Sequence, residues 1–392
     1  GTIVEHPGAA PFHDWNARIH AECYAPNVAA RTLDEAGQLR GVHNNFSNIS
    51  FNVGPTLMRW IRAESPAVYR AIVQADLEAS QRSGGHGTAI AQGHHHAILP
   101  LCSERDRRAE IVWGIADFVS HFGRYPEGMW LPETAVDIPT LESLAAESIA
   151  FTILAPRQAT RVRSSPDGAW RSFGEDPLDH ARPYRVSLPS GSEISVFFYD
   201  GHLANGIAFD GLLHSGERLA AELAKASREL PPEGLLSVAT DGESYGHHHR
   251  FGEMALARAL EILRQTPGAE LTHYAAHLAA YPPTWEVEIR ENTAWSCEHA
   301  LERWGSGRGD GAGQTGETRW RRPMRQALDG LRDRVTKLME TRGAELFEDP
   351  WRARELYGAV SSAQSGDARE AAWRRILDLS EHGASPAELE RF

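Results

Sequence analysis

Short apolar runs with strand character recur along the chain from about Val42, and amphipathic segments separate them. The strand-like runs are SNISFNV (47–53), TAIAQGHHHAIL (88–99), GMWLPE (128–133), IAFTILA (149–155), EISVFFYD (193–200) and GLLSVATD (234–241). Apolar positions three and four apart predict helices over 55–80, 107–122, 139–148 and 216–230. Strands alternating with helices imply a parallel sheet, closed into a barrel or doubly wound. Polar residues fall at the C-terminal ends of several different runs: His94 to His96, Glu133, Asp200 and Asp241. A barrel gathers such ends around one axis. A doubly wound sheet places its site at a single crevice and usually carries a Gly-rich phosphate loop, which this sequence lacks. The pattern therefore favours a parallel barrel. After residue 254 the periodicity turns helical, interrupted by the glycine-rich SGRGDGAGQTGE (306–317), which reads as a loop or linker. The first forty residues are poor in strand signal.

Composition narrows the function classes. The 392 residues carry 53 acidic and 40 basic side chains, a formal net charge of −13. Nucleic acid and anionic membrane surfaces require clustered Lys and Arg, so neither is an expected partner. The basic stretch RWRRPMRQ (319–326) precedes an amphipathic helix and reads as a solvated face. No apolar run approaches the roughly 18 residues that span a bilayer. Three cysteines, Cys23, Cys102 and Cys297, form no CxxC pair, so a reducing cytoplasmic setting is expected, without a disulfide framework or zinc ribbon.

Four stretches carry candidate chemistry. In ATDGESYGHHH, Asp241 is the first residue past a buried run, placed for acid/base work, and Gly242 and Gly246 permit turns that return Glu243 and His247 to the same place. A polar surface loop is the plain alternative. In GMWLPETAVD, Trp130 and Glu133 flank a Leu-Pro pair. An aromatic ring beside a carboxylate suits a sugar site, where the ring stacks on C–H groups and the acid attacks or protonates. A salt-bridged glutamate at a bent strand end would have the same sequence. In GHHHAILPL, strand alternation predicts His94 and His96 on one face and His95 on the other, with at least one histidine buried and structural. In TAWSCEHALERWGSG, Trp295 and His299 would share one face of a short helix, and Trp304 follows beside the glycine-rich loop.

Taken together and in this order, the motifs resemble those of glycoside hydrolase family 57, retaining enzymes acting on α-glucans and related α-glycosides. GMWLPETA is similar to the family's nucleophile motif, which places the nucleophile at Glu133. ATDGESYGHHH resembles the acid/base motif, which places that role at Asp241 with Glu243 and His247 as companions. HHAILPL resembles a substrate-contacting stretch and points to His96, and TAWSCEHALERW is similar to a late tryptophan-bearing motif. APFHDWNARI, FNVGPTL and FFYDG resemble a branch of the family that carries a further uncharacterised region. The resemblance implies an α/β fold: an incomplete parallel (β/α)7-type barrel over 1–280, followed by a helical region over 281–392 with a Gly-rich loop at 305–317. Family members begin with a strand ending in a His-Gln-Pro-like motif, and nothing before Gly41 supplies one, so either the first barrel strand is missing or the barrel closes differently. It further implies an oligo- or polysaccharide substrate, bound through His96, Trp130, Glu243, His247, Trp295, His299 and Trp304, with no cofactor and no catalytic metal. Two alternatives from other classes are a metal-dependent carbohydrate hydrolase or deacetylase using the His and Asp/Glu clusters, and a non-catalytic glycan-binding protein.

Overall fold

The computed structural model describes residues 4–164, 167–173, 178–297, 301–305 and 320–380. Its first two strands form a hairpin the sequence did not announce: β1 (Ala30–Leu33) pairs antiparallel with β2 (Leu39–His43). The Asp34 carboxylate accepts the Ala36 and Gln38 N–H groups at 2.9 and 2.8 Å and shapes the turn. Alternate burial along β1, with Leu33 and Leu39 exposed, explains the weak strand signal.

The parallel units then follow in chain order. Phe51 forms a parallel bridge to Ala89, β3 (Ala91–Gln92) pairs with β4 (Met129–Trp130), and Gly128 bridges to Phe151 at the head of β5 (Phe151–Leu154). After β5 come β6 (Ala159–Arg163), β7 (Arg171–Ser172), β8 (Tyr184–Ser187), β9 (Glu193–Phe198) and β10 (Trp285–Ile289). These six form one mixed sheet in the order β5-β9-β8-β10-β6-β7, with β5 and β9 parallel. The fold is thus a mixed α/β architecture with a helical C-terminal region. Strand β10 interrupts the helical pattern expected after residue 254.

Several expected strands are much shorter than their apolar runs. Residues 235–241 join no ladder. They hang beside the end of β9 through the Asp200 N–H to Ser237 C=O bond at 2.8 Å and the Ser237 hydroxyl on Phe198 C=O at 3.3 Å. The histidine triplet lies beyond β3 in a turn, so strand alternation does not set its directions. The predicted helix 55–80 is two, Pro55–Glu64 and Pro66–Arg82. Pro66 forces Ser65 out of helical geometry, to φ −140° and ψ 66°.

Alternation along β5 and β9 builds two apolar layers. Phe151, Ile153, Phe197 and Tyr199 join Ile90, Leu235 and Tyr274 in one cluster, while Leu154, Val196 and Phe198 face the larger one. Both faces are covered, as expected for strands that read as continuous apolar runs. Helix Glu104–Phe122 lies flat on β3, where Gly114 is required: a Cβ there would stand 2.0 Å from Gln92 O. On the outer side of that helix, Pro350–Ser362 docks through Trp113 Nε1 on Arg354 O (2.9 Å) and the Arg108–Glu355 pair (2.6 Å). Helices Arg321–Gly343 and Gly366–Leu377 complete the C-terminal region. The three cysteines are free, and among the described residues no helix is long and apolar enough to cross a membrane.

Candidate active site

Glu133 sits three residues beyond β4 in a backbone conformation that side chains seldom adopt. Its φ is 60°, and Thr134 follows at 52°. Residues held there cost free energy that surrounding contacts must offset. The buried Gln158 supplies them: its amide oxygen accepts Thr134 Oγ1 at 2.8 Å and Ala155 N–H at 2.9 Å, and its amide nitrogen donates to Thr134 O at 2.8 Å. The segment 292–296 clamps the other side, with Asn292 N–H on Val136 O (2.7 Å), Val136 N–H on Thr293 O (3.1 Å) and Trp295 N–H on Glu133 O (3.0 Å).

The same segment binds the carboxylate. Trp295 Nε1 donates to Glu133 Oε2 at 3.0 Å, and the Ser296 hydroxyl donates to the same oxygen. Trp295 is therefore not on a helix but in a tight turn between Ala294 and Cys297, which bridge antiparallel. Arg157 donates to both Ala294 O and Trp295 O and fixes that turn. Trp130 meets the Trp295 ring edge-to-face at 5.1 Å, and Tyr199 approaches it at 6.2 Å. An aromatic wall thus stands beside the carboxylate.

Asp241 is the second candidate carboxyl. Although its side chain keeps solvent access, the protein around it strips away enough water to push its carboxyl up, and the charges of Glu243 and then Glu133 push it further; His248 and His96 act in the opposite sense. Two carboxylates 108 positions apart in sequence are therefore in electrostatic reach of one another, with His96, Glu243 and His248 around them. His96 is exposed and has a positive φ of 56°.

The loop carrying Asp241 is braced from behind by the segment Trp15–Asn27, an α-helix with a π-helical turn at His20–Tyr24. Cys23 Sγ donates to Gly242 O at 3.2 Å and Asn27 Nδ2 to Tyr245 O at 2.8 Å. Gly246 allows the close approach: its φ is 144°, and a Cβ would lie 2.0 Å from Glu22 O. His247, which the resemblance places at the substrate, pairs with Glu22 and meets the Trp15 ring at 6.1 Å. Trp304 packs with Ala135, Ala294, Leu301, Ile98 and Leu101 under the Glu133 kink. His94 is the buried structural histidine, its ring against Trp113 at 5.6 Å, and His95 pairs with Glu110 at 2.6 Å. His299 lies outside the described residues. Among the described residues no group of three or more His, Cys, Asp or Glu side chains is placed to hold a metal ion.

Sequence reasoning missed Ser296, Gln158 and Arg157. Ser296 adjoins a tryptophan already singled out, and Arg157 and Gln158 sit at the C-terminal end of a strand-like run, where the same rule that chose Glu133 would have found them.

The profile of glycosyl hydrolase family 57 matches residues 17–290, well over half of the chain and including Trp130, Glu133 and Asp241. The chain belongs to glycosyl hydrolase family 57. A domain of unknown function (DUF3536) matches residues 317–380, so a second region follows the family 57 part. Among solved structures, the chain is similar to a 4-α-glucanotransferase from Thermococcus litoralis, at 16% identity over 73% of this chain and 38% of that one, with a TM-score of 0.52. An exo-type maltose-forming amylase from Pyrococcus sp. ST04 matches at 16% identity over 94% of this chain and 60% of its own length, TM-score 0.62. A family 57 branching enzyme from Thermococcus kodakaraensis matches at 18% identity, with 96% and 86% covered and a TM-score of 0.54. At these identities the likeness speaks for the fold. The chain spans 38% and 60% of the first two structures. No curated protein sequence matches it.

Proposed function

We propose that this family 57 chain is a retaining glycoside hydrolase or glycosyl-transferring enzyme acting on α-glucans or related α-glycosides. The fold that goes with this reading is a (β/α)7-type barrel whose sheet extends past residue 280 to take in β10, with the helical region following it. Its neighbours in fold are named a glucanotransferase, an amylase and a branching enzyme, the last solved in complex with glucose. The observation that carries the proposal is the pairing of unlike carboxyls. Glu133 has one oxygen bound by Trp295 and Ser296, and Asp241 is raised by desolvation and by the charges of Glu243 and Glu133.

A retaining displacement needs that inequality. Glu133 attacks the anomeric carbon as the bond to the leaving oxygen breaks, and that oxygen takes the proton from Asp241. A glycosyl ester on Glu133 results. Water or a sugar hydroxyl then attacks the anomeric carbon, losing its proton to Asp241 and freeing Glu133. Trp130 and Trp295 offer ring faces and edges for the sugar's C–H groups, with His96 and Glu243 at the rim. His247 serves this site through its loop, by way of Glu22. Product analysis after incubation with maltooligosaccharides and other α-glycosides tests the proposal. Products that keep the anomeric configuration, and that vanish with Glu133→Gln, are expected. Inverted products, or turnover that survives that substitution, overturn it.

A further inference from the structure

A second polar cleft lies at the opposite end of the strands from Glu133 and Asp241. Thr88, which lines it, precedes β3, whereas His96 follows that strand at the other end. The cleft has a volume of about 310 Å³, within the range of small-ligand sites. Arg82 and Arg264 both line it. Each is anchored to one loop, Arg82 on the Ser47 carbonyl and Arg264 on the Asn48 side-chain oxygen. Partial desolvation and then the charge of Arg82 lower the Arg264 guanidinium, so the two cations stand close enough to repel.

The nearby carboxylates are already engaged. Asp76 accepts from Arg124 Nη2 and Nε at 2.7 and 2.9 Å and from the Ala89 N–H at 2.7 Å. Glu261 pairs with Arg40 at 2.8 Å and Arg258 at 3.1 Å. Among the described residues neither Arg82 nor Arg264 has an ion-pair partner. His273 also lines the cleft, is 93% buried, being 7% exposed, and has hydrogen-bond partners on neither ring nitrogen. Burial, then the positive surroundings of His86, Arg124 and Arg82, hold it down to about 4 against the lesser pull of Asp76, so it is a neutral donor at pH 7. Two convergent guanidiniums and an unused imidazole, in a chain of net charge −13, form a site for a compact dianion.

We propose that this cleft binds the phosphate of a small phosphorylated sugar or polyol, with Arg82 and Arg264 on the phosphate and His273 donating from the cleft wall. The size and lining argue for an ester over the free ion. Inorganic phosphate would fill a small part of the volume, and Ser83 and Thr272 supply hydroxyls where a polyol would lie. Among the described residues no aromatic ring other than His273 lines the cleft to stack on a nucleobase.

The test is calorimetric titration of the intact chain at low ionic strength with glucose 6-phosphate, glucose and inorganic phosphate. Glucose 6-phosphate should bind at least about tenfold tighter than inorganic phosphate, and glucose should not displace it. Arg82→Gln and Arg264→Gln should each weaken binding about tenfold or more without lowering the unfolding temperature, while Glu133→Gln should leave it unchanged. The His273 ring resonances should show a raised titration midpoint in the saturated protein, and His273→Phe should weaken binding. Absence of binding at millimolar glucose 6-phosphate overturns the proposal. So does binding that survives both arginine substitutions, or equal affinity for inorganic phosphate.

Discussion

Trp295 and Glu133 are joined twice: the indole N–H donates to Glu133 Oε2 and the Trp295 backbone N–H donates to Glu133 O, both at 3.0 Å. One contact orients the carboxylate and the other holds the strained backbone that presents it. Separating the two roles is experimentally direct, because only the side chain is lost on substitution. Trp295→Phe should lower kcat by about 10- to 100-fold, the scale of a hydrogen bond to a charged group at about 1.5–3 kcal/mol. The unfolding temperature should fall little, since the backbone bond and the contact with Trp130 remain. Steady-state kinetics with a maltooligosaccharide, read as kcat and KM separately, checks this; a pure rise in KM would assign Trp295 to substrate binding alone.

Gln158 does the heavier structural work. Replacing its fully buried amide by the apolar Gln158→Leu strands Thr134 Oγ1 and O and the Ala155 N–H in a dry environment. With about 1–3 kcal/mol for each unsatisfied buried group and partial relaxation, a loss of about 3–5 kcal/mol is expected. Glu133 would leave its left-handed conformation, so activity should fall with stability. Denaturant unfolding of the variant measures the first effect, and turnover below its transition measures the second.

A pH effect should come from His180 and Asp200, whose side chains meet at 3.4 Å. The bond to Asp200 raises His180, and the bond to His180 lowers Asp200, which also caps helix Gly201–Ala208 through the Leu203 N–H. A raised histidine stabilises below its unfolded value and loses that contribution as pH rises through its folded value. A lowered aspartate stabilises above its unfolded value and loses that as pH falls through its folded value. The pair therefore contributes most between about pH 4 and 6.5. Both groups touch solvent, so the effect should stay at or below about 1 kcal/mol. The difference in unfolding free energy between wild type and His180→Gln should peak in that window and shrink above pH 8. A flat difference across pH 4 to 8 would show that the ion pair contributes nothing.

How much of this was readable from the chain depends on what each residue answers to. Glu133 and Asp241 close strand-like runs and Trp130 lies within one, so local order alone singles them out. The run 234–241 nevertheless joins no ladder, because pairing needs a neighbour and apolar content does not supply one. The hairpin 30–43 was hidden for the reverse reason: its strands are half exposed and carry arginine and glycine. The histidine triplet misled because alternation holds only while the strand lasts, and β3 ends at Gln92. The partnership of Ser296 with Glu133 spans 163 positions, and His247 with Glu22 spans 225, so neither leaves a local pattern.

Asp241 offers the most discriminating test of the proposed chemistry, because its raised carboxyl bears on stability and catalysis at once. A carboxyl raised on folding disfavours the native state once it ionises. That penalty is absent below the unfolded value near pH 4 and complete above the folded value. Asp241→Asn should therefore unfold at a higher temperature than wild type at pH 7, with the gain vanishing as pH falls toward 3. Catalysis should move the other way. The first step needs Asp241 protonated, so the variant should lose most turnover on substrates with poor leaving groups and far less on aryl glycosides, whose leaving group needs little protonation. Glu133→Gln should abolish both. Azide should partly restore Glu133→Ala by attacking the anomeric carbon in place of the missing carboxylate, giving a glycosyl azide of inverted configuration. For retention the two carboxyl groups should lie about 5–5.5 Å apart in a complex with sugar, and a spacing beyond about 9.5 Å would instead admit a water and predict inversion. If Asp241→Asn is stabilised at pH 7 yet fully active on unactivated glucans, Asp241 is a strained bystander and the acid/base must be sought elsewhere in the cleft.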